Sequence, residues 1–229
     1  MSTTEGAVSP AEGEVGRHPV TRRGARTRQG LIEAARVVFE RDGYLNARLT
    51  DITIEARCST GTLYTYFTGK EEIFAAVMEA AKNEMLHPGT PHVSEDEEPS
   101  VIIEASNRAY LESYQRNAKL MQLLEQVANV DPDFRKMRLE RGHTFVERNA
   151  KGIEDLQRRG LADPDLDPMM TSRALSGMIS RLAFNAFVLH DGEDFDELLY
   201  TATLVWCNTL RIDHHLERHV ASATSTEAK

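Results

Sequence analysis

The 229-residue chain is 41% hydrophobic and carries a formal net charge of -9, enough apolar content for a core in one large or two modest domains and the wrong overall sign for a polyanion partner. No apolar run approaches the ~20 residues of a membrane-spanning helix, and the N-terminus lacks the apolar segment of a secretory signal, so no membrane association and a cytoplasmic location are expected. Cys58 and Cys207 match no disulfide or metal spacing, which excludes a disulfide scaffold and suits a reducing compartment.

Residues 1–20 are rich in Gly, Ser, Thr, Glu and Pro without periodicity and read as a disordered tail. A basic arm follows, with Arg22, Arg23, Arg26 and Arg28 and no acid among them. Leu31, Ala35, Val38 and Phe39 then mark one face of a first helix, which Gly43 is placed to end. Residues 48–56 and 59–67 read as two short helices. Ser59 is the N-cap of the second, whose Leu63 and Phe67 lie four apart on one face. A fourth helix starts near Lys70, with Ile73 and Val77 inward. Between residues 21 and 70 there are nine Lys or Arg against five Asp or Glu, a balance of +4 that leaves -13 for the rest. Such asymmetry fits a basic module, here 21–70, joined to a larger acidic one, 71–220, followed by a tail at 221–229.

The proline-broken, acidic stretch 87–99 reads as a connection. Everything after it is helical in pattern: 100–117, 119–129, a long helix from the Asp131-Pro132 cap to Arg159 ended by Gly160, another from Asp167-Pro168 to His190, and a last from about Asp194 to His219. No sustained β alternation appears. The expected fold class is therefore all-α, an N-terminal three-helix helix-turn-helix domain plus a larger C-terminal helical domain.

Two short helices joined by a tight turn have the dimensions of a helix-turn-helix. A recognition helix must bury one stripe while offering small polar groups to base edges and larger donors to phosphates. "STGTLYTYF" supplies all three: Leu63 and Phe67 for the core, Thr60, Gly61, Thr62 and Thr65 small enough for the major groove, and the hydroxyls of Tyr64 and Tyr66 for backbone oxygens.

Residues 27–74, from "TRQGLIEAARVVFERDGY" to "LTDITIEARCSTGTLYTYFTGKEEIF", resemble the DNA-binding domain of TetR/AcrR-type transcriptional regulators. The resemblance implies a ligand-responsive regulator, commonly a repressor, that binds a palindromic double-stranded DNA operator as a homodimer and is released by a small, largely apolar effector. It implies no enzymatic activity and no cofactor. On matching positions Thr62, Tyr64, Tyr66 and Lys70 would anchor phosphates, Thr60, Gly61 and Thr65 would approach bases, Arg48 would touch a phosphate, and the arginine arm would follow a groove. Two positions depart from the family pattern: Arg57 stands where the turn usually has glycine, and Thr53 where alanine is usual. By the same analogy an effector cavity is expected among Tyr110, Tyr114, Met121, Leu124, Phe134, His143, Phe145, Met178 and Phe184.

A dimer seam is expected on the last two helices, where Leu175, Ile179, Leu182, Ala183 and Ala186 on one and Leu198, Ala202 and Val205 on the other mix small and aliphatic side chains. Two rival readings stand beside the regulator: a sequence-independent DNA binder, and a helical-bundle metalloenzyme. The second has Glu140-x-x-His143 as its one spacing motif, without the second copy that a di-metal site needs. His214, His215 and His219 offer a further metal spacing that a solvated helix end explains as well. No catalytic or metal site is assigned.

Overall fold

The computed structural model describes residues 21–87 and 97–215. The expected tails at 1–20 and 221–229, His219 and most of the acidic connection lie outside these. Nine α-helices and one π-helical turn make up the described chain, without a strand. The all-α expectation holds. The chain divides into two compact units, 1–77 and 78–229.

In the first unit, α1 spans Arg22–Asn46, α2 Leu49–Glu55 and α3 Thr60–Tyr66, and α4, Lys70–Leu86, begins there. Helix α1 starts earlier than its apolar pattern suggests. The Thr21 side chain accepts the Gly24 N–H at 3.1 Å, an N-cap that makes the arginine segment helical rather than an extended arm. Gly43 leaves the helical region at φ 76, as a residue without Cβ can, and turns the chain toward α2. Leu31, Val38, Phe39, Ile52, Leu63, Phe67, Ile73 and Phe74 are all buried. The rings of Phe39 and Phe74 meet edge to face at 5.0 Å between centroids, with Tyr44 4.8 Å from Phe74. Thr53 is buried where the family has alanine, and its hydroxyl donates to the Thr50 carbonyl at 2.8 Å, so burial leaves no unpaired donor.

In the second unit, α5 is Pro99–Arg116, α6 Ala118–Ala128, α7 Pro132–Arg158, α8 Pro168–Phe184 and α9 Phe195–Leu210. Helix α7 packs on α6 and α8, and α5 on α9. Ile103, Ile153, Leu175, Trp206, Cys207, Leu210 and Ile212 form a shared core. The Asp-Pro starts are real caps. Asp131 Oδ1 accepts the Asp133 N–H at 2.8 Å, and Asp167 Oδ1 accepts the Met170 N–H at 2.7 Å.

Three helices close with one device, a left-handed residue whose N–H and that of its successor reach back to two carbonyls of the last turn. At α7 it is Gly160, with Gly160 N–H to Gln157 O at 3.0 Å and Leu161 N–H to Leu156 O at 2.8 Å. At α2 and α9 it is an arginine, Arg57 at φ 52 and Arg211 at φ 56. The predicted continuation of the last helix to His219 is thereby corrected: α9 stops at Leu210, whose carbonyl accepts the Asp163 N–H at 2.9 Å instead of continuing the ladder, and Arg211 pairs with buried Asp163 at 3.1 Å. The preceding helix reaches His190 as predicted but changes character on the way. Its regular part stops at Phe184, a π-turn covers Asn185–Leu189, and His190 is left-handed.

Candidate functional site

The two short helices present what a groove-reading element needs on the outside of α3. Ser59 caps it by accepting the Thr62 N–H at 3.1 Å, and its hydroxyl shares a 2.9 Å hydrogen bond with that of Thr62. Leu63 is fully buried, as is the following Phe67. Thr60, Gly61, Thr65 and Tyr64 face out, while Thr62 and Tyr66 are half-buried. A Cβ placed on Gly61 would meet only Ser59 Oγ, at 3.8 Å, so the surface over Gly61 is open. The Thr65 hydroxyl donates to the Gly61 carbonyl at 3.0 Å, which leaves its methyl and its remaining lone pairs to the outside. The angle between α2 and α3 is set at Arg57. Its N–H reaches the Ile54 carbonyl at 3.1 Å and the Cys58 N–H reaches that of Thr53 at 3.0 Å.

The cations around this helix divide into two groups. Arg22, Arg23, Arg26 and Arg48 are exposed, and Arg48 occupies the N-cap position of α2 without capping it. Arg28 and Lys70 are engaged internally. The Arg28 guanidinium lies over the Phe67 ring at 5.1 Å, at the end of α3. Lys70 Nζ donates to the carbonyls of Leu45 and Ala47, both at 3.2 Å, and sits 4.9 Å from the Tyr44 ring centroid. Lys70 thus ties the start of α4 to the turn before α2, with one of its three N–H donors left for an outside acceptor.

A second feature lies entirely in the 78–229 unit: a cavity of about 1020 Å³ walled by α4, α5, α7, α8 and α9. Of the nine residues expected to line an effector cavity, Tyr110, His143 and Phe145 are on its wall. His143 is exposed rather than inward. Tyr114, Met121, Leu124 and Phe134 are buried away from it, and Met178 packs against the shared core of the unit. Phe184, half-buried, is not on the wall either and instead lies under the Arg181 guanidinium, 5.2 Å from its ring centroid.

Residue-type reasoning missed the polar part of the wall. Arg141 and Arg148 hold their guanidiniums 5.4 and 5.5 Å from the Phe145 ring centroid, and Tyr110 meets that ring edge to face at 5.6 Å. Burial pushes the Tyr110 phenol up from its ordinary value, against the opposing pull of Arg141 and of a hydrogen bond to Ser180. Desolvation likewise lowers Arg148, although the residue remains solvent-exposed. The signal was present in sequence as arginines at 141 and 148 flanking Phe145 on one helical face, a pattern that without the fold reads as a solvated stripe.

The residues of the expected dimer seam fall into two groups. Leu175, Ile179, Ala183, Leu198 and Ala202 are buried inside the chain itself, each 4% exposed or less. Leu182, Ala186 and Val205 keep partial exposure. Glu140 and His143, the spacing motif of the metalloenzyme reading, are both exposed, and among the described residues no three His, Cys, Asp or Glu side chains gather as a metal site would require.

Residues 31–77 match the family described as bacterial regulatory proteins, tetR family. The match falls on the unit that carries the helix-turn-helix. That unit carries a domain of the tetR family. It is 25% identical over 149 residues to the HTH-type transcriptional regulator UidR of Escherichia coli K12, an alignment covering 65% of this chain and 76% of that one. It is also 25% identical over 178 residues to the HTH-type transcriptional regulator TtgR of Pseudomonas putida, covering 73% and 83%. In three dimensions it is similar to Salmonella enterica GusR, with a TM-score of 0.68 at 20% identity over 84% of this chain and 98% of that one. Both of these relatives, UidR and TtgR, are transcriptional regulators. No described helix is long and apolar enough to cross a membrane.

Proposed function

We propose that the chain is a cytoplasmic repressor that binds a palindromic operator as a homodimer through α3 and releases it when a small molecule occupies the cavity of the second unit. The observation that carries the reading is the division of α3 into a buried edge, Leu63, continued by Phe67, and an outer face of Thr60, Gly61, Tyr64 and Thr65. Thr60, Gly61 and Thr65 read base edges, and Thr62, Tyr64 and Tyr66 reach phosphates by their hydroxyls. Arg48 and Arg57 add charge at the flanks of α2.

The arginines of α1 support the same reading. Arg22 and Arg23 fall in the first turn, where the helix dipole disfavours cations by about 0.3–1 kcal/mol each, and no acid of that turn offsets them. An external polyanion beside them would turn that cost into a gain. Arg28 positions α3 through Phe67, and Lys70 braces α4 while keeping one donor for phosphate.

A single helix-turn-helix offers too little surface for tight specific binding, which calls for a twofold pair reading half-sites about one helical turn, or a multiple of that, apart. The seam consistent with the packing uses the partly exposed Leu182, Ala186 and Val205 together with exposed Leu189. Effector binding shifts the population toward a conformation whose recognition helices no longer match the half-site spacing. The division of charge, +4 in 21–70 and -13 elsewhere, counts against a sequence-independent coat on DNA, because most of the surface repels it.

Fluorescence anisotropy over a salt series, with the intergenic DNA upstream of the coding sequence and a scrambled duplex, tests the reading. Specific binding tighter by about 10³-fold or more supports it. Equal affinity for both duplexes, with a continuous rather than discrete footprint, replaces it with the sequence-independent mode.

A further inference from the structure

Taking the cavity of the second unit as the effector site, we propose that its ligand is an amphiphilic organic anion, a carboxylate or sulfonate on an apolar body, held by Arg141 and Arg148. Residue types alone suggest a largely apolar effector; the charged side chains on the wall argue for one that also carries an anionic group.

The cationic side chains on the wall do not cancel. Arg138 is neutralised by Glu125 at 2.6 Å, and Arg159 pairs with Asp155 at 3.4 Å, an acid that also holds Arg158 at 2.8 Å. Among the described residues Asp155 is the one carboxylate on the wall, and it is already engaged. Arg141 and Arg148 have no described carboxylate within ion-pair reach; their partners are Met85 Sδ for Arg141, the Leu86 carbonyl for Arg148, and the Phe145 ring for both. They stand seven residues apart on α7, two turns and about 10.5 Å along one face, with Phe145 between them. Two like charges flanking one ring and facing a roomy, partly desolvated space repel each other until an anion enters.

Unsatisfied hydrogen-bonding groups point the same way. Arg141 Nε and Trp206 Nε1 are buried without a partner, and both residues line the cavity. Each is a donor with no acceptor capacity, so what completes the wall must bring acceptors. The apolar remainder, with Ile103, Phe145 and Ile179, suits a hydrocarbon or aromatic body. Tyr110, whose hydroxyl stays protonated well above neutral pH, is a further donor at the same ring.

The test uses the full chain and two fluorescent probes that share one body and differ in one charge: 8-anilinonaphthalene-1-sulfonate and uncharged N-phenyl-1-naphthylamine. The wild-type protein is expected to bind the sulfonate about 10-fold or more tighter than the neutral probe, as charge-assisted hydrogen bonds imply. Arg141→Gln and Arg148→Gln should each weaken the sulfonate by about 10-fold or more while leaving the neutral probe within about 3-fold, which reports an intact cavity. Arg148→Lys, which keeps the charge, should recover part of the loss. Equal affinity of the wild type for the two probes, no binding of the sulfonate, or sulfonate binding unchanged in both Gln variants overturns the proposal. No DNA enters this experiment. A protein that prefers the anion yet never binds its upstream DNA sinks the repressor reading alone, and one that binds DNA specifically but prefers the neutral probe sinks the anion alone.

Discussion

Replacing Arg57 with glycine tests whether the helix-turn-helix is held under backbone strain. Arg57 is exposed, and its backbone sits at φ 52 as the left-handed residue closing α2. A side chain in that region costs roughly 1–2 kcal/mol, because Cβ crowds the following carbonyl oxygen. Glycine removes that cost but brings an unfolded chain with more freedom to lose, which takes back roughly 0.4–1 kcal/mol. The net expectation is a gain of about 0.5–1 kcal/mol for the first unit. For a domain of that size each kcal/mol moves Tm by roughly 4–8 °C, so a rise of about 2–8 °C follows.

The two units need not melt together, so the readout has to be local. Native-state hydrogen exchange at the amides of Ile52, Cys58 and Leu63, alongside calorimetry, serves that purpose. Arg57→Gly should slow exchange at all three. Arg57→Ala keeps the Cβ and loses the charge, and Arg57→Lys keeps both; neither should slow it. A glycine variant no better protected than the lysine variant would refute the strain argument. The same three proteins separate strain from charge in DNA affinity, since alanine and glycine lose the cation equally.

Ser59→Ala removes the α3 cap and should cost about 1 kcal/mol, seen as a lower urea midpoint of the first unit. Leu63→Ala, at a site with no exposed surface, should cost about 2–5 kcal/mol, whereas Thr60→Ala on the outer face should stay within about 0.5 kcal/mol and weaken only the specific duplex. Burial raises the Cys207 thiol to about 11, so the folded state holds its proton more tightly than the unfolded chain, whose thiol titrates near 8.5. That contribution is complete below about pH 8.5 and is lost as pH rises from there through about 11. The stability difference between wild type and Cys207→Ala, read from urea melts, should shrink over that window. Leu182→Glu on the partly exposed face of α8 should turn a dimer into a monomer by light scattering, with the far-ultraviolet helix signal unchanged.

Helix starts from α2 onward are legible in the sequence and the end of the last helix is not, for a physical reason. A start is announced by side chains that bond the backbone, as Ser59, Asp131, Asp167 and Asp194 all do. An end is announced only when glycine marks the left-handed residue. Gly160 did so, while Arg211 adopts the same conformation and closes the same pair of hydrogen bonds with nothing in its chemistry to say so. The last helix was therefore drawn too long, and the reason for its stop lies in Asp163, well upstream in the chain. The same division runs through the functional residues. The buried and outer faces of α3 are legible because local spacing alone decides which side of a seven-residue helix is buried. The residues of the cavity depend on which neighbours enclose α7, and a stripe such as Arg141, Phe145 and Arg148 has the same pattern whether it faces water or a ligand. What distinguishes the two cases is satisfaction: on a solvated face Arg141 Nε would bond water freely, whereas here it is buried and unpaired beside an open space. The deficit on the wall, donors without acceptors and cations without anions, is thus a better guide to the effector than the apolar residues that make the space.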